Sequence, residues 1–131
     1  MRLSPRWLAA VAGVTVAVAG LLVRAQTSGF FAKYAGVALY AEVIYLIVVF
    51  VAPRISPVKA GVIALGTCWA VELAQLTPVP AALSARSVVA RLVLGARFSP
   101  ADLVAYAVGI ALLLGLHWLV AYRMRSNSRS Q

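Results

Sequence analysis

The chain has 131 residues, of which 63% are hydrophobic, and its mean hydropathy is +0.95. Soluble domains are about 45–50% apolar. This composition therefore excludes an ordinary soluble domain and indicates a membrane protein. Twelve lysines and arginines against three acids give a formal charge of +9, and because these bases lie between or beside the apolar runs, anionic lipid headgroups are the expected partners and nucleic acid is not. A single cysteine, Cys68, excludes an internal disulfide.

Four apolar runs of about 17–21 residues fill most of the chain, and this is the length that crosses roughly 30 Å of hydrocarbon as a helix. They predict an all-α membrane protein with four transmembrane helices in a single domain, residues 1–122. The predicted spans are residues 7–23, 34–52, 58–76 and 101–122.

The first run carries small residues at four-residue spacing, Ala9, Gly13 and Ala17, a stripe suited to close packing against a neighbouring helix. The alternative is a cleavable signal peptide, since residues 23–25 resemble a small-residue cleavage site after a basic segment. The apolar stretch is longer than the usual 7–15 residues or so of such a peptide, which favours an uncleaved span.

Prolines and a polar interruption separate the later runs. Pro53 and Pro57 bracket a tight turn between the second and third spans. Residues 81–94 are apolar but too short and too charged to cross the membrane, and they predict an interfacial or re-entrant amphipathic helix. Pro100 is typical of the first residue of a helix. Residues 123–131 have nothing to bury and predict a disordered basic tail.

Four spans place both termini on one side of the membrane, and the distribution of bases predicts which side that is. The terminal side carries seven bases and the other side five, so the positive-inside rule predicts cytoplasmic termini in a multi-pass protein of the inner membrane. The seven are Arg2, Arg6, Arg54, Lys59, Arg123, Arg125 and Arg129, and the five are Arg24, Lys33, Arg86, Arg91 and Arg97.

All three acids fall toward the predicted outer half of the bundle. Glu42 lies in the second span, Glu72 near the end of the third and Asp102 at the start of the fourth. A carboxylate in the apolar region costs about 2.5–3.5 kcal/mol and is by default a functional-site hypothesis. Gln75 shares a helical face with Glu72, and Tyr106 shares one with Asp102.

Three arginines, Arg86, Arg91 and Arg97, lie in the segment between these two faces. They predict a carboxylate–arginine network, roofed by the interfacial helix, in which every charge is paired. Two interpretations stay open: ion pairs that fix the interfacial helix, or a site that also contacts a ligand or lipid headgroup. The ligand-binding hypothesis names Glu72, Gln75, Arg91, Arg97, Asp102 and Tyr106, with Glu42 as a secondary candidate.

Two further polar groups inside the spans are predicted to be structural, Glu42 as a protonated hydrogen-bonding group and His117 as a packing or interfacial residue. One cysteine and one histidine argue against a conventional zinc site. No Gly-rich phosphate loop or Ser/His/Asp set is recognisable. No catalytic residue, cofactor or metal is predicted, and an enzyme that uses paired carboxylates stays open without being favoured.

Two motifs carry a family resemblance. The third span contains E-x-x-Q at Glu72 and Gln75, and L-G-x-x-F-x-x-x-D-x-x-x-Y-x-x-G runs through residues 94–109. Together they resemble a family of small bacterial four-helix membrane proteins catalogued only as a domain of unknown function, over nearly the whole chain. Residues 34–40 also fit its second helix, although many members carry an acid where Val37 stands.

The same layout is similar, more distantly, to the VanZ-like family, which is linked to low-level glycopeptide (teicoplanin) resistance. This resemblance implies a role at the outer leaflet and the cell envelope, and neither family implies a mechanism. The residues that the two resemblances group together are Glu72, Gln75, Arg91, Asp102, Tyr106 and Gly109.

Three classes of function follow from these observations. The leading one is an inner-membrane protein whose outward polar cluster binds a polar lipid headgroup or an envelope precursor. The second is a proton-coupled or small-solute carrier, active as a homo-oligomer, that uses Glu42 and Glu72. The third is a non-catalytic subunit that packs its small-residue stripe against a larger membrane-protein partner.

Overall fold

The computed structural model describes residues 4–26, 28–95 and 97–131, so Arg2, which entered the count of bases, lies outside the described residues. The helices in chain order are α1 Pro5–Gln26, α2 Gly29–Val51, α3 Pro57–Ala74, α4 Val79–Arg86, α5 Val88–Leu94 and α6 Pro100–Arg129. Four of them, α1, α2, α3 and α6, are long and apolar enough to cross a membrane. The predicted fold class is confirmed.

The segment predicted as one interfacial helix over residues 81–94 forms two helices, α4 and α5. Ser87, between them, has an extended backbone (φ −146°, ψ 130°), and its side chain accepts a hydrogen bond from the Ala90 N–H at 3.3 Å. An N-cap residue has a non-helical backbone, and its hydroxyl accepts a hydrogen bond from an N–H in the first turn of the following helix. The preceding helix therefore ends at this serine.

The C-terminal segment also differs from its prediction, because residues 123–129 continue α6 as a helix. Extending an existing helix adds one hydrogen bond per residue without a new nucleation cost. With 30 residues, α6 is about 45 Å long and exceeds a hydrocarbon layer of roughly 30 Å. Helix α6 is therefore longer than one crossing requires, and the exposed bases of its last turns follow the predicted span of residues 101–122.

Helix α2 lies at the centre of the bundle. It packs against α1, α3 and α6, and α3 packs in turn against α6. Small and aromatic side chains fill the interior, while large apolar side chains such as Phe30 (79% exposed) and Val62 (67% exposed) point outward, as expected of helices that face lipid. The fully or nearly fully buried residues of the core include Ala41, Tyr45, Ala60, Ala64, Cys68, Tyr106 and Ile110.

The contact between α2 and α6 is close because Gly109 has no side chain. A Cβ atom at this position would lie 2.5 Å from the carbonyl oxygen of Ala38. Farther along the same pair of helices, the hydroxyl of Tyr45 lies 2.6 Å from Nδ1 of His117, and the two rings meet edge to face. This contact confirms the predicted packing role of His117.

The chain direction gives the bundle two ends. The terminal end holds the first residues of α1 and α3 and the last residues of α2 and α6. The α4–α5 end holds the opposite ends of these four helices together with α4 and α5. The orientation of these ends across the membrane remains the prediction made from the basic residues.

Cysteine labelling tests this orientation. On a Cys68→Ala background, we expect single cysteines at Gln26 and Ala85, both exposed, to react with a membrane-impermeant maleimide in intact cells. A cysteine at Ser128 should react only after permeabilisation, because positive-inside bias places the terminal end in the cytoplasm. The reverse pattern would invert the orientation, and labelling of Gln26 and Ser128 together would contradict the four-span arrangement.

Glycine substitutions test the α2–α6 contact. We expect Gly109→Ala to lower the free energy of unfolding by about 1–3 kcal/mol, the usual cost of forcing an extra carbon into a packed interior. Gly66→Ala is the matched control, because nothing lies within 4 Å of a Cβ added there. Unfolding in mixed micelles measures both, and equal stabilities would show that α2 and α6 do not approach this closely.

Candidate functional site

The carboxyl group of Glu72 links two transmembrane helices at the α4–α5 end. Glu72 lies in the last turn of α3 and is completely buried. Its Oε1 accepts a hydrogen bond from the Ser99 N–H at 2.6 Å, and its Oε2 accepts one from the Tyr106 hydroxyl at 3.1 Å. Ser99 is the N-cap residue of α6, and its own side chain makes no capping bond, so Glu72 serves the start of that helix.

Asp102 lies in the first turn of α6, just after Ser99, and its partner is a lysine. It is 9% exposed, and its Oδ1 lies 3.9 Å from Nζ of Lys33, on α2. Within the described residues Oδ1 accepts no hydrogen bond. An acid in the first turn of a helix is stabilised by the positive end of the helix dipole, and Lys33, whose side chain is 52% exposed, adds a second positive charge from outside.

Hydrogen bonds from three different helices hold the C-terminal end of α5. The last carbonyl groups of any helix lack partners within it and need donors from elsewhere. Here the donors are side chains of α2, α3 and α4. They are the Tyr40 hydroxyl to the Val93 carbonyl at 2.8 Å, the Gln75 amide to Leu94 at 2.5 Å, and the Ser84 hydroxyl to Gly95 at 2.7 Å.

The end of α5 also depends on Gly95. Its φ of +66° lies in the left-handed region that disfavours residues with a Cβ atom. A Cβ atom there would lie 2.6 Å from Nε2 of Gln75. Gln75 therefore reaches the Leu94 carbonyl across a space that only glycine leaves open, which explains why a glycine follows α5.

The predicted carboxylate–arginine network does not form. Nε and Nη2 of Arg91 donate to the Ser84 carbonyl at 3.3 and 3.2 Å, at the end of α4. Arg97 is exposed and has no partner among the described residues. Glu72 is completely buried, and its two hydrogen bonds come from Ser99 and Tyr106, whereas the arginines of this segment lie at the surface.

The structure thus brings together only part of the predicted set. Glu72 contacts Tyr106, and Gln75 lies beside the end of α5, whereas Arg91 and Arg97 stay at the surface. Lys33 was not predicted to lie beside these acids, because the predicted second span begins at residue 34. Tyr40 and Ser84 were missed as hydrogen-bond donors, although a serine in an otherwise apolar segment is a signal that an acceptor lies nearby.

Glu42 stands apart from this cluster. It is half-buried near the middle of α2 and has no hydrogen-bond or ion-pair partner within the described chain. The predicted hydrogen bond of its carboxyl group is therefore absent there, and the neighbouring Tyr45 hydroxyl lies beside His117 instead. The carrier hypothesis depends on this residue and stays a prediction.

The α4–α5 end separates positive from negative charge. Glu72 and Asp102 are buried inside the bundle. Among the described side chains at this end, four bases are exposed at the surface. They are Lys33, Arg86, Arg91 and Arg97.

A known protein family matches about two thirds of the chain. Residues 26–110, well over half of the chain, match the profile of a family described as a protein of unknown function, DUF2809. The chain belongs to the DUF2809 family. The resemblance to a domain of unknown function is therefore confirmed, whereas the VanZ-like resemblance stays a prediction. The matched segment runs from the end of α1 into α6 and contains all three acids of this DUF2809 protein. No curated protein and no solved structure matches the chain.

Paired alanine substitutions test the role of Glu72. We expect Glu72→Ala to lower the free energy of unfolding by about 2–4 kcal/mol, because two buried donors each lose an acceptor at about 1–3 kcal/mol apiece. Glu42→Ala makes the same chemical change at a carboxyl group without partners and should leave stability unchanged or raised. Unfolding in mixed micelles compares the two, and losses of equal size would show that Glu72 does not support the start of α6.

Proposed function

We propose that this DUF2809 protein binds a phosphate-bearing lipid headgroup, of an anionic phospholipid or an envelope precursor, at the α4–α5 end of the bundle. The observation that supports this proposal is the separation of charge there. Bases exposed at the surface attract anionic groups, and the two acids of this end are buried inside the bundle, where they make no direct contact with a group at the surface. Arginine suits phosphate in particular, since its planar guanidinium donates two parallel hydrogen bonds.

The outer surface of α5 supports a position in the membrane interface. Val88, Val89, Leu92 and Val93 are between 48% and 69% exposed. A short helix with an apolar surface beside basic side chains lies at the boundary between headgroups and acyl chains. In that position the guanidinium groups of α4, α5 and the following segment are at the depth of lipid phosphates.

Glu72 and Gln75 then act as positioning residues rather than as ligand contacts. Glu72 is completely buried and both of its oxygens are occupied, so it has no free surface for a headgroup. Gln75 donates to the end of α5. Both residues hold the helices that carry the bases, and the site proper consists of Arg86, Arg91, Arg97 and Lys33.

The proposed location is a cell inner membrane with cytoplasmic termini. The support is the excess of bases at the terminal end, seven against five, and the positive-inside rule. This orientation directs the basic site toward the outer leaflet, which is where envelope precursors are used. The third hypothesis receives less support, because α1 already packs on α2 of the same chain and Ala9, one of its small residues, is buried.

Charge-neutral variants test the headgroup site. We expect Arg86→Gln combined with Arg97→Gln to weaken retention of phosphatidylglycerol about tenfold or more, since each base near a headgroup contributes about 1 kcal/mol. Native mass spectrometry of the detergent-solubilised protein counts the retained lipids, with zwitterionic phosphatidylcholine as the comparison of zero net charge. Neither arginine makes a hydrogen bond or ion pair within the described residues, so the variant should fold normally.

Two double variants serve as controls for this experiment. Arg86→Lys with Arg97→Lys keeps the charge and should retain most of the binding. Arg125→Gln with Arg129→Gln removes the same net charge from the terminal end and should cost less. Equal losses in the two glutamine pairs would indicate attraction to net charge alone, and no loss in the first pair would contradict the site.

A further inference from the structure

A groove runs along the surface where α1 packs on α2, in the half of the bundle near the terminal end. Its volume is about 380 Å³, and only apolar side chains and backbone line it. The lining residues are Ala9, Ala10, Gly13, Val14 and Ala17 of α1 and Val43, Leu46, Ile47 and Phe50 of α2. Because α1 packs chiefly on α2, the groove opens sideways into the bilayer.

The groove has the length of one leaflet. From Ala9 to Ala17 it extends about 12 Å along α1, and half of a hydrocarbon layer of roughly 30 Å is about 15 Å. At Gly13 a Cβ atom would lie 3.8 Å from Cβ of Leu46, which forms the floor. Gly20 lies beyond the lining residues, and a Cβ atom there would lie 3.5 Å from Leu39, so α1 and α2 remain in contact past this end of the groove.

A fixed arginine stands at the outer end of this groove. Nε of Arg6 donates to the carbonyl oxygen of Phe50 at 3.0 Å, and its guanidinium carbon lies 5.7 Å from the centre of the Phe50 ring. Phe50 also belongs to the wall of the groove. Arg6 forms no ion pair within the described residues, so its exposed charge is uncompensated there while its position is held.

From this arrangement we propose that the groove holds one acyl chain of a phospholipid whose phosphate binds Arg6. A chain in the groove covers apolar surface of both helices, and the remaining N–H groups of the guanidinium face the headgroup. A partner's transmembrane helix is the competing occupant of such a small-residue stripe, but the uncompensated charge of Arg6 beside the groove favours a lipid phosphate. This site lies at the opposite end from the basic site proposed above and does not depend on it.

Photo-crosslinking tests this lipid site. The probe is phosphatidylglycerol with a diazirine in the middle of one acyl chain, reconstituted with the full-length protein in nanodiscs. We expect crosslinks to concentrate on peptides that contain residues 9–17 and 43–50. Arg6→Gln should reduce them about tenfold, the usual effect of removing a charge-assisted hydrogen bond, whereas Arg125→Gln should leave them unchanged.

A second pair of variants separates the groove from the charge. Ala17→Phe places a large side chain inside the groove and should abolish the crosslinks, while Val18→Phe adds the same ring at the neighbouring position, which is 49% exposed and outside the lining, and should preserve them. Crosslinks spread evenly over all helices would show that the lipid contacts the protein non-specifically, and they would overturn the proposal. Loss of the lipid crosslinks together with the appearance of protein–protein crosslinks between two copies of α1 would also overturn it.

Discussion

The hydrogen bonds of Glu72 connect the end of α3 to the start of α6, and the arrangement of the α4–α5 end depends on them. A buried carboxyl group in an apolar layer is costly unless it has partners. Here the Ser99 N–H and the Tyr106 hydroxyl are those partners. Because both belong to α6, the chain that leaves α3 must return to the same depth, and α4 and α5 occupy the space between.

The interfacial helices are held in that space by neutral hydrogen bonds rather than by ion pairs. Side chains of α2, α3 and α4 donate to three successive carbonyl groups at the end of α5. Arg91 adds hydrogen bonds from α5 to the Ser84 carbonyl, but Arg86, Arg91 and Arg97 form no ion pair within the described residues. The bases at this end of the bundle are therefore exposed at the membrane interface, where a phosphate-bearing group can reach them.

Local chemistry explains which parts of the fold are readable in the sequence. Apolar run length predicts the four spans, and Pro57 and Pro100 mark the starts of α3 and α6 as observed. The division at Ser87 was not predicted, since a capping serine and a solvent-facing serine look alike in one sequence. The contact between Glu72 and Tyr106 follows from two helical faces that point toward each other, and the structure confirms that the two residues meet.

The sequence by itself determined that the chain is a membrane protein with four helices long enough to span, because hydropathy and run length depend only on residue order. Only the tertiary structure decided which charges meet. Lys33 reaches Asp102 because α2 and α6 run side by side at Gly109. Arg91 bonds to the Ser84 carbonyl and Arg97 stays at the surface, while Glu72 is buried between α3 and α6. A hydrogen bond needs its two heavy atoms about 3 Å apart. Helix packing, rather than spacing along the chain, decides which atoms come that close.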